Sequence, residues 1–223
     1  MSGPPDVPDP VDMPDPAGAG DTAGEFGEPV PAERLVGPVE RVAPDLLGLL
    51  LVGRGLVARV VEVEGYDEDD PASHTHHGRT DANATMFGPP GRLYVYLSHG
   101  LHHCGNVAVG PRGVGAAVLL RALAVERGGP VALRRREGRG ADDPRLLAGG
   151  PGRVGQVLAL DRADDGLDLL DPGAGMVLRD DGQRPAHVVT GPRVGVRLAA
   201  DRPWRWWAAD HPAVSRYRRH PRA

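Results

Sequence analysis

Two glutamates at alternate positions, Glu62 and Glu64, sit in the stretch ARVVEVEGY from Ala58 to Tyr66. Its strict alternation reads as a β-strand with Val61 and Val63 on one face and Val60, Glu62, Glu64 and Tyr66 on the other. A carboxylate presented in this way can take a proton from water and stabilise a cation forming opposite it, and spacing alone does not choose between the two glutamates. Six of the nine histidines follow closely, His74, His76 and His77 as an HxHH cluster and His99, His102 and His103 as a second group. Together with Glu62, Glu64 and the single cysteine, Cys104, these are the ligand types of a zinc hydrolase, which stands as the rival chemistry on residue types.

Such groups need elements to position them. Asp67 to Pro90, rich in Asp, Gly, Thr and Pro, is a loop, and loops of that length usually serve a function. Leu93 to Leu97 and His102 to Val109 read as the strands of a hairpin, with Gly100 permitting the reversal and His99 or Leu101 at the tip. Tyr94 is assigned to cross-strand packing. Ala43 to Leu51 reads as a helix with Pro44 in its first turn. Ala116 to Leu123 reads as a buried strand whose Arg121 requires a carboxylate partner. A short helix over 129 to 139 ends in Arg134, Arg135 and Arg136, a solvated face; another over Val154 to Leu160 follows GGPGR, whose backbone amides suit phosphate. Val188 to Leu198 alternates as a late strand, and Trp204, Trp206 and Trp207 read as core anchors. The patterning points to an α/β chain of the α+β type with a mainly antiparallel sheet.

The same segments resemble the alkyladenine (3-methyladenine) DNA glycosylase family. The resemblance is carried by EVEGY at 62 to 66, DDPASH at 69 to 74, GRT at 78 to 80, MFGPPGRLYVY at 86 to 96, Cys104 and Asn106, VLLRAL at 118 to 123, GPGR at 150 to 153 with Gln156, and GPRVGV at 191 to 196. They occur in the family's order over roughly Val42 to Tyr217. The resemblance implies a single domain with a curved sheet, surrounding helices and a protruding hairpin that enters DNA. It also implies excision of alkylated or deaminated purines by base flipping, with double-stranded DNA as partner and no cofactor or metal. It selects Glu64 as the base and gives Arg121 the task of positioning it and its water. Tyr66, His74 and Tyr96 would enclose the flipped base, and Asn106 would crowd the amino group of guanine. Arg79, Arg153 and Arg193 would meet the DNA backbone. The chain departs from the family at His99, where a tyrosine normally fills the gap, so His99 and Leu101 are expected to share the wedge. Its loop between Tyr66 and His74 is one residue shorter, and GRTDAN lacks an arginine usual near position 82.

Composition bounds these readings. At 223 residues and 40% hydrophobic content the chain supports one domain with a real core. One cysteine excludes a disulfide framework, and with no signal peptide or long apolar run the expectation is a soluble, cytoplasmic monomer, nucleoid-associated if bacterial, with no membrane contact. Residues 1 to 33 hold eight acids, no base and eight prolines, the composition of a disordered tail ahead of a catalytic domain at 34 to 217 and a frayed basic end at 218 to 223. Setting those eight acids aside leaves 26 arginines against 22 acids, a formal +4 that suits a nucleic-acid binder only weakly. The chain has no lysine, so no side-chain amine is available for a Schiff base with the sugar, and base removal without strand cleavage is expected. The remaining alternative is a damaged-DNA binder without catalysis, which His99 as a smaller wedge keeps open.

Overall fold

The computed structural model describes residues 25–137 and 144–223. In chain order it has strand β1 (Glu28–Pro29), helix α1 (Val39–Asp45), strands β2 (Leu50–Gly53), β3 (Leu56–Tyr66), β4 (Leu93–Ser98), β5 (His102–Ala108) and β6 (Ala117–Arg127), then helices α2 (Gly129–Arg135), α3 (Pro144–Leu147) and α4 (Pro151–Val157), and finally strands β7 (Met176–Asp180), β8 (Val188–Gly191) and β9 (Arg205–Ala208). The strands form one curved antiparallel sheet in the order β1-β7-β2-β3-β6-β5-β4, with β9 joining β3 and β8. The α/β architecture is the one the patterning pointed to.

Strand β3 organises this sheet. One edge pairs with β6 along nearly its whole length, while β2 pairs with its first part and β9 with Glu62, Val63 and Glu64. The alternation expected along β3 is interrupted by register shifts on either side of Glu62. Val60 and Val63 consequently share the main core, whereas Val61 packs with Ala122, Ala208 and Ala213. This corrects the two-faced reading of the strand: a bulge turns the chain between the two faces at the carboxylates.

The hairpin of β4 and β5 is paired from Leu93↔Val107 to Ser98↔His102, and its turn has positive φ at both His99 (51°) and Gly100 (70°). Left-handed φ at both central residues matches the twist of the flanking strands. Helix α4 braces this hairpin from behind by a backbone-close approach: a Cβ on Gly155 would stand 1.9 Å from the carbonyl oxygen of His103.

Three other elements differ from their sequence readings. The helix expected over Ala43 to Leu51 with Pro44 in its first turn instead runs Val39–Asp45 with Pro44 near its end, and it stops there because Gly48 turns with φ +91° and Leu50 and Leu51 pair with β3 and β7. A short leucine run carries no periodicity that separates helix from buried strand. The strand expected to Leu198 stops at Gly191, since Gly195 takes φ +70° and the Val194 amide is spent on a side chain. The helix after GGPGR starts at Pro151 rather than Val154, with proline in its first turn. Residues 1–24 of the acidic tail lie outside the described residues. From Glu25 onward the chain joins the fold, with Glu28 and Pro29 paired to Asp180 and Arg179 and Val30 buried, so residues ahead of 34 pack with the rest of the domain. In the C-terminal basic segment the Arg218 carbonyl accepts from the Gly195 amide at 2.9 Å, and Arg219 pairs with Asp201 at 3.0 Å. Among the described residues no helix is long and apolar enough to cross a membrane.

Gly155→Ala tests the bracing. A methyl group placed against backbone costs about 1–3 kcal/mol, which at roughly 2–4 °C per kcal/mol lowers the melting temperature by about 2–12 °C. An unchanged Tm in a thermal scan would show that α4 is not seated on the hairpin in this way.

Candidate active site

The bulged centre of β3 delivers both glutamates into the protein, where Glu62 is 0% and Glu64 1% exposed. Two carboxylates can stay ionised there only if cations and donors replace water. Glu62 is fully engaged. Its Oε1 accepts from Arg121 Nε at 2.9 Å, Arg205 Nε at 2.7 Å and the Ser215 hydroxyl at 2.9 Å, and its Oε2 accepts from the Ser215 amide at 2.8 Å. Burial alone would raise the Glu62 carboxyl pKa, but the charges of Arg121 and Arg205 outweigh it and hold it below the usual range. Arg121 supplies both glutamates, and they in turn overcome desolvation and raise its pKa.

Glu64 is held differently. Its Oε1 accepts from the Val194 amide at 2.7 Å, and its Oε2 accepts from the Tyr66 hydroxyl at 2.9 Å and Arg121 Nη1 at 3.3 Å. Burial, then the Glu64 charge, push the Tyr66 phenol well above its ordinary pKa, so it remains a neutral donor. Tyr66 is also a wall of a surface cavity of about 790 Å³, whose lining includes neither glutamate, so the Tyr66 hydroxyl links Glu64 to it.

That cavity gathers Tyr66, His74, Tyr94, Tyr96 and Asn106 with His99 from the hairpin tip. Tyr94 and Tyr96 stack at 5.8 Å, and the His74 ring meets Tyr96 edge-on at 4.7 Å. The Tyr94 hydroxyl lies 2.9 Å from His74 Nδ1 and orients the ring. Desolvation lowers the His74 pKa, which keeps it neutral near pH 7. Burial, then the Asp165 charge, push Tyr94 up to about 12. Asn106 donates to the Tyr94 carbonyl at 3.2 Å, fixing its amide in the wall. The loop carrying His74 is pinned by Asn83, whose amide donates to the carbonyls of His74 at 2.9 Å and Gly78 at 3.1 Å.

The structure thus brings Glu64, Arg121, Tyr66, His74, Tyr96 and Asn106 into one neighbourhood, with His99 and the 73%-exposed Leu101 at the hairpin tip beside it. Arg79 is exposed and Arg153 half-buried with Nη1 donating to the Gly149 carbonyl. Arg193 is a correction: expected at the DNA backbone, it is fully buried and forked onto Asp70, whose carboxylate claims it first. Tyr94 also exceeds its packing role, since it holds His74. Arg205, Ser215 and Asp70 escaped the sequence reading. An arginine between tryptophans in WRWW was the one available signal, being the same buried-charge anomaly as Arg121. The zinc ligand set is not assembled. His74 turns to Tyr94, His76 lies against the Glu68 carbonyl, both glutamates face arginines, and among the described residues no three His, Cys, Asp or Glu side chains form a metal-holding group.

An open antiparallel sheet with an aromatic cavity beside a buried carboxylate–arginine pair defines an enzyme-like site, and comparison with known proteins gives its class. A family model, methylpurine-DNA glycosylase, matches residues 33–212, and the chain belongs to that family. It is 50% identical over 195 residues to a protein of Mycolicibacterium paratuberculosis, covering 85% of this chain and 93% of the relative. It is 47% identical over 203 residues to one of Mycobacterium leprae, covering 87% and 92%, and 48% identical over 200 residues to one of Mycobacterium tuberculosis, covering 86% and 96%. All three carry the name "Putative 3-methyladenine DNA glycosylase".

The Glu62 arrangement sets a stability prediction. Glu62→Gln leaves two buried arginines undercompensated and costs about 3–5 kcal/mol in urea unfolding. Because the folded pKa of Glu62 is depressed, its contribution is present above the unfolded carboxylate value and is lost as pH falls through the folded one. The gap between wild type and variant should therefore narrow on acidification below about pH 4. A constant gap from pH 7 to pH 3 would contradict the ion-pair assignment.

Proposed function

We propose that the chain is a monofunctional DNA glycosylase that hydrolyses the N-glycosidic bond of alkylated or deaminated purines. The observation that carries this reading is the Glu64 carboxylate, hydrogen-bonded to Tyr66, which is also a wall of the aromatic cavity. A purine must leave the helix before such a carboxylate can reach its glycosidic bond. His99 and Leu101, exposed at the hairpin tip, occupy the vacated space. The extruded base enters between Tyr66, His74 and Tyr96, whose electron-rich faces favour a cationic alkylated purine by about 0.5–2 kcal/mol. Asn106, fixed to the Tyr94 carbonyl, crowds the amino group that distinguishes guanine.

In the chemical step Glu64 accepts a proton from water as the water oxygen bonds to C1′, and the electron pair of the breaking C–N bond leaves with the purine. The carboxylate also faces the positive charge that grows on the sugar. Arg121 and the Val194 amide hold Glu64 in place during this step, while Glu62 orients Arg121 from the other side. With no lysine in the chain, the sugar aldehyde has no side-chain amine to attack it, and the product is an intact abasic strand.

Single-turnover release of hypoxanthine and 7-methylguanine from matched duplexes tests this. Wild type should release base, with strand breaks only after alkali, and Glu64→Gln should lower the rate by roughly 10²–10⁴-fold without weakening lesion binding. Release that survives in Glu64→Gln and fails in a folded Glu62 variant would reassign the base, and tight lesion binding with no release in wild type would mark a recogniser of damage.

A further inference from the structure

Asp70 and Arg193 form a salt bridge with both side chains 0% exposed. The guanidinium forks onto both carboxylate oxygens, Nη2 to Oδ1 at 3.1 Å and Nη1 to Oδ2. Nη1 also donates to the Gly65 carbonyl at 3.0 Å, and the guanidinium plane lies 4.6 Å over the Tyr66 ring. One side chain therefore joins the end of β3 to two loops. The first loop leads from Asp70, which turns the chain through its bonds to the Ala72 and Ser73 amides, to His74 in the cavity. The second runs from Arg193 through Val194, whose amide is bonded to Glu64, to Gly195, Val196, Arg197 and Leu198 in the cavity wall. Arg193 Nε is buried with no hydrogen-bond partner among the described residues, so the residue is not optimised for stability alone.

We propose that Asp70 and Arg193 are positioning residues for hydrolysis: their buried pair clamps both loops to Tyr66 and holds the Val194 amide on Glu64. The inference rests on the reading of Glu64 as the base. Removing the fork lets the 193–198 loop move by a fraction of an ångström, which detunes Glu64 and Tyr66 while the cavity still admits a base. The pair acts on the rate of bond cleavage and not on lesion recognition.

Two variants of the full chain test it. Asp70→Asn keeps the shape and removes the charge; Arg193→Lys keeps the charge and removes the fork and the plane over Tyr66. In both, single-turnover hypoxanthine release at saturating enzyme, normalised to active sites by burst amplitude, should fall roughly 10–10²-fold. Affinity for the lesion duplex, and the fluorescence rise of an ethenoadenine as it leaves the stack, should stay at the wild-type level. Rates per active site equal to wild type would make the pair a fold anchor and overturn the proposal, as would loss of folding in both variants or a parallel loss of lesion binding. Absence of release by wild type, seen before either variant is compared, would instead remove the Glu64 reading on which the proposal stands.

Discussion

The burial of two carboxylates on one strand is the constraint from which the rest of this structure follows. Glu62 and Glu64 lie at 0% and 1% exposure, and leaving either charge unpaired there would cost more than most single contacts in a protein contribute. Their partners come from separate places in the chain: Arg121 from β6, Arg205 from β9, Ser215 from the C-terminal segment and the Val194 amide from the loop between β8 and β9. Satisfying the glutamates therefore fixes where four distant segments meet. The register shifts around Glu62 are part of the same solution, because they let Val60 and Val63 share the core while the carboxylates face the arginines.

Within that arrangement the two glutamates are chemically unequal. Glu62 has both oxygens held by Arg121, Arg205 and Ser215, and is joined to Glu64 through the shared Arg121. Glu64 shares Arg121 but is linked through the Tyr66 hydroxyl to a cavity wall rich in aromatic side chains. Tyr94, Tyr96 and His74 meet by stacking and edge contact, and the Tyr94–His74 hydrogen bond fixes the ring that would otherwise swing. A carboxylate behind, an aromatic cavity in front and an exposed hairpin tip beside it are the three parts that the proposed base extrusion and hydrolysis would use.

Much of this was legible in the sequence, and the parts that were not have physical reasons. The β4–β5 hairpin carried a turn glycine between apolar alternations, and Arg121 was visible as a charge inside an apolar run. Period and spacing left Glu62 and Glu64 equivalent; only the family resemblance separated them. The bulge at Val61 was missed because the adjacent Val60 and Val61 fit either phase of the alternation, and only the pairing with β6 fixes which of them joins the main core. Leu46 to Leu51 misread as helix since a leucine run has no period, and its break depends on the left-handed turn at Gly48. Arg193 misread as a DNA contact because its partner, Asp70, is remote in sequence, and pairings of that kind are set by topology alone.

The central claim is that the Glu64 carboxylate is complementary to a positively charged sugar. The most direct measurement compares binding of two duplexes, one with a cationic pyrrolidine and one with a neutral tetrahydrofuran in place of the damaged nucleoside, to wild type and Glu64→Gln. Wild type should prefer the cationic duplex by about 10²-fold or more, as expected for a transition-state mimic, and the preference should collapse in the variant. Equal affinity of wild type for the two duplexes, or a preference that survives in Glu64→Gln, would contradict the account.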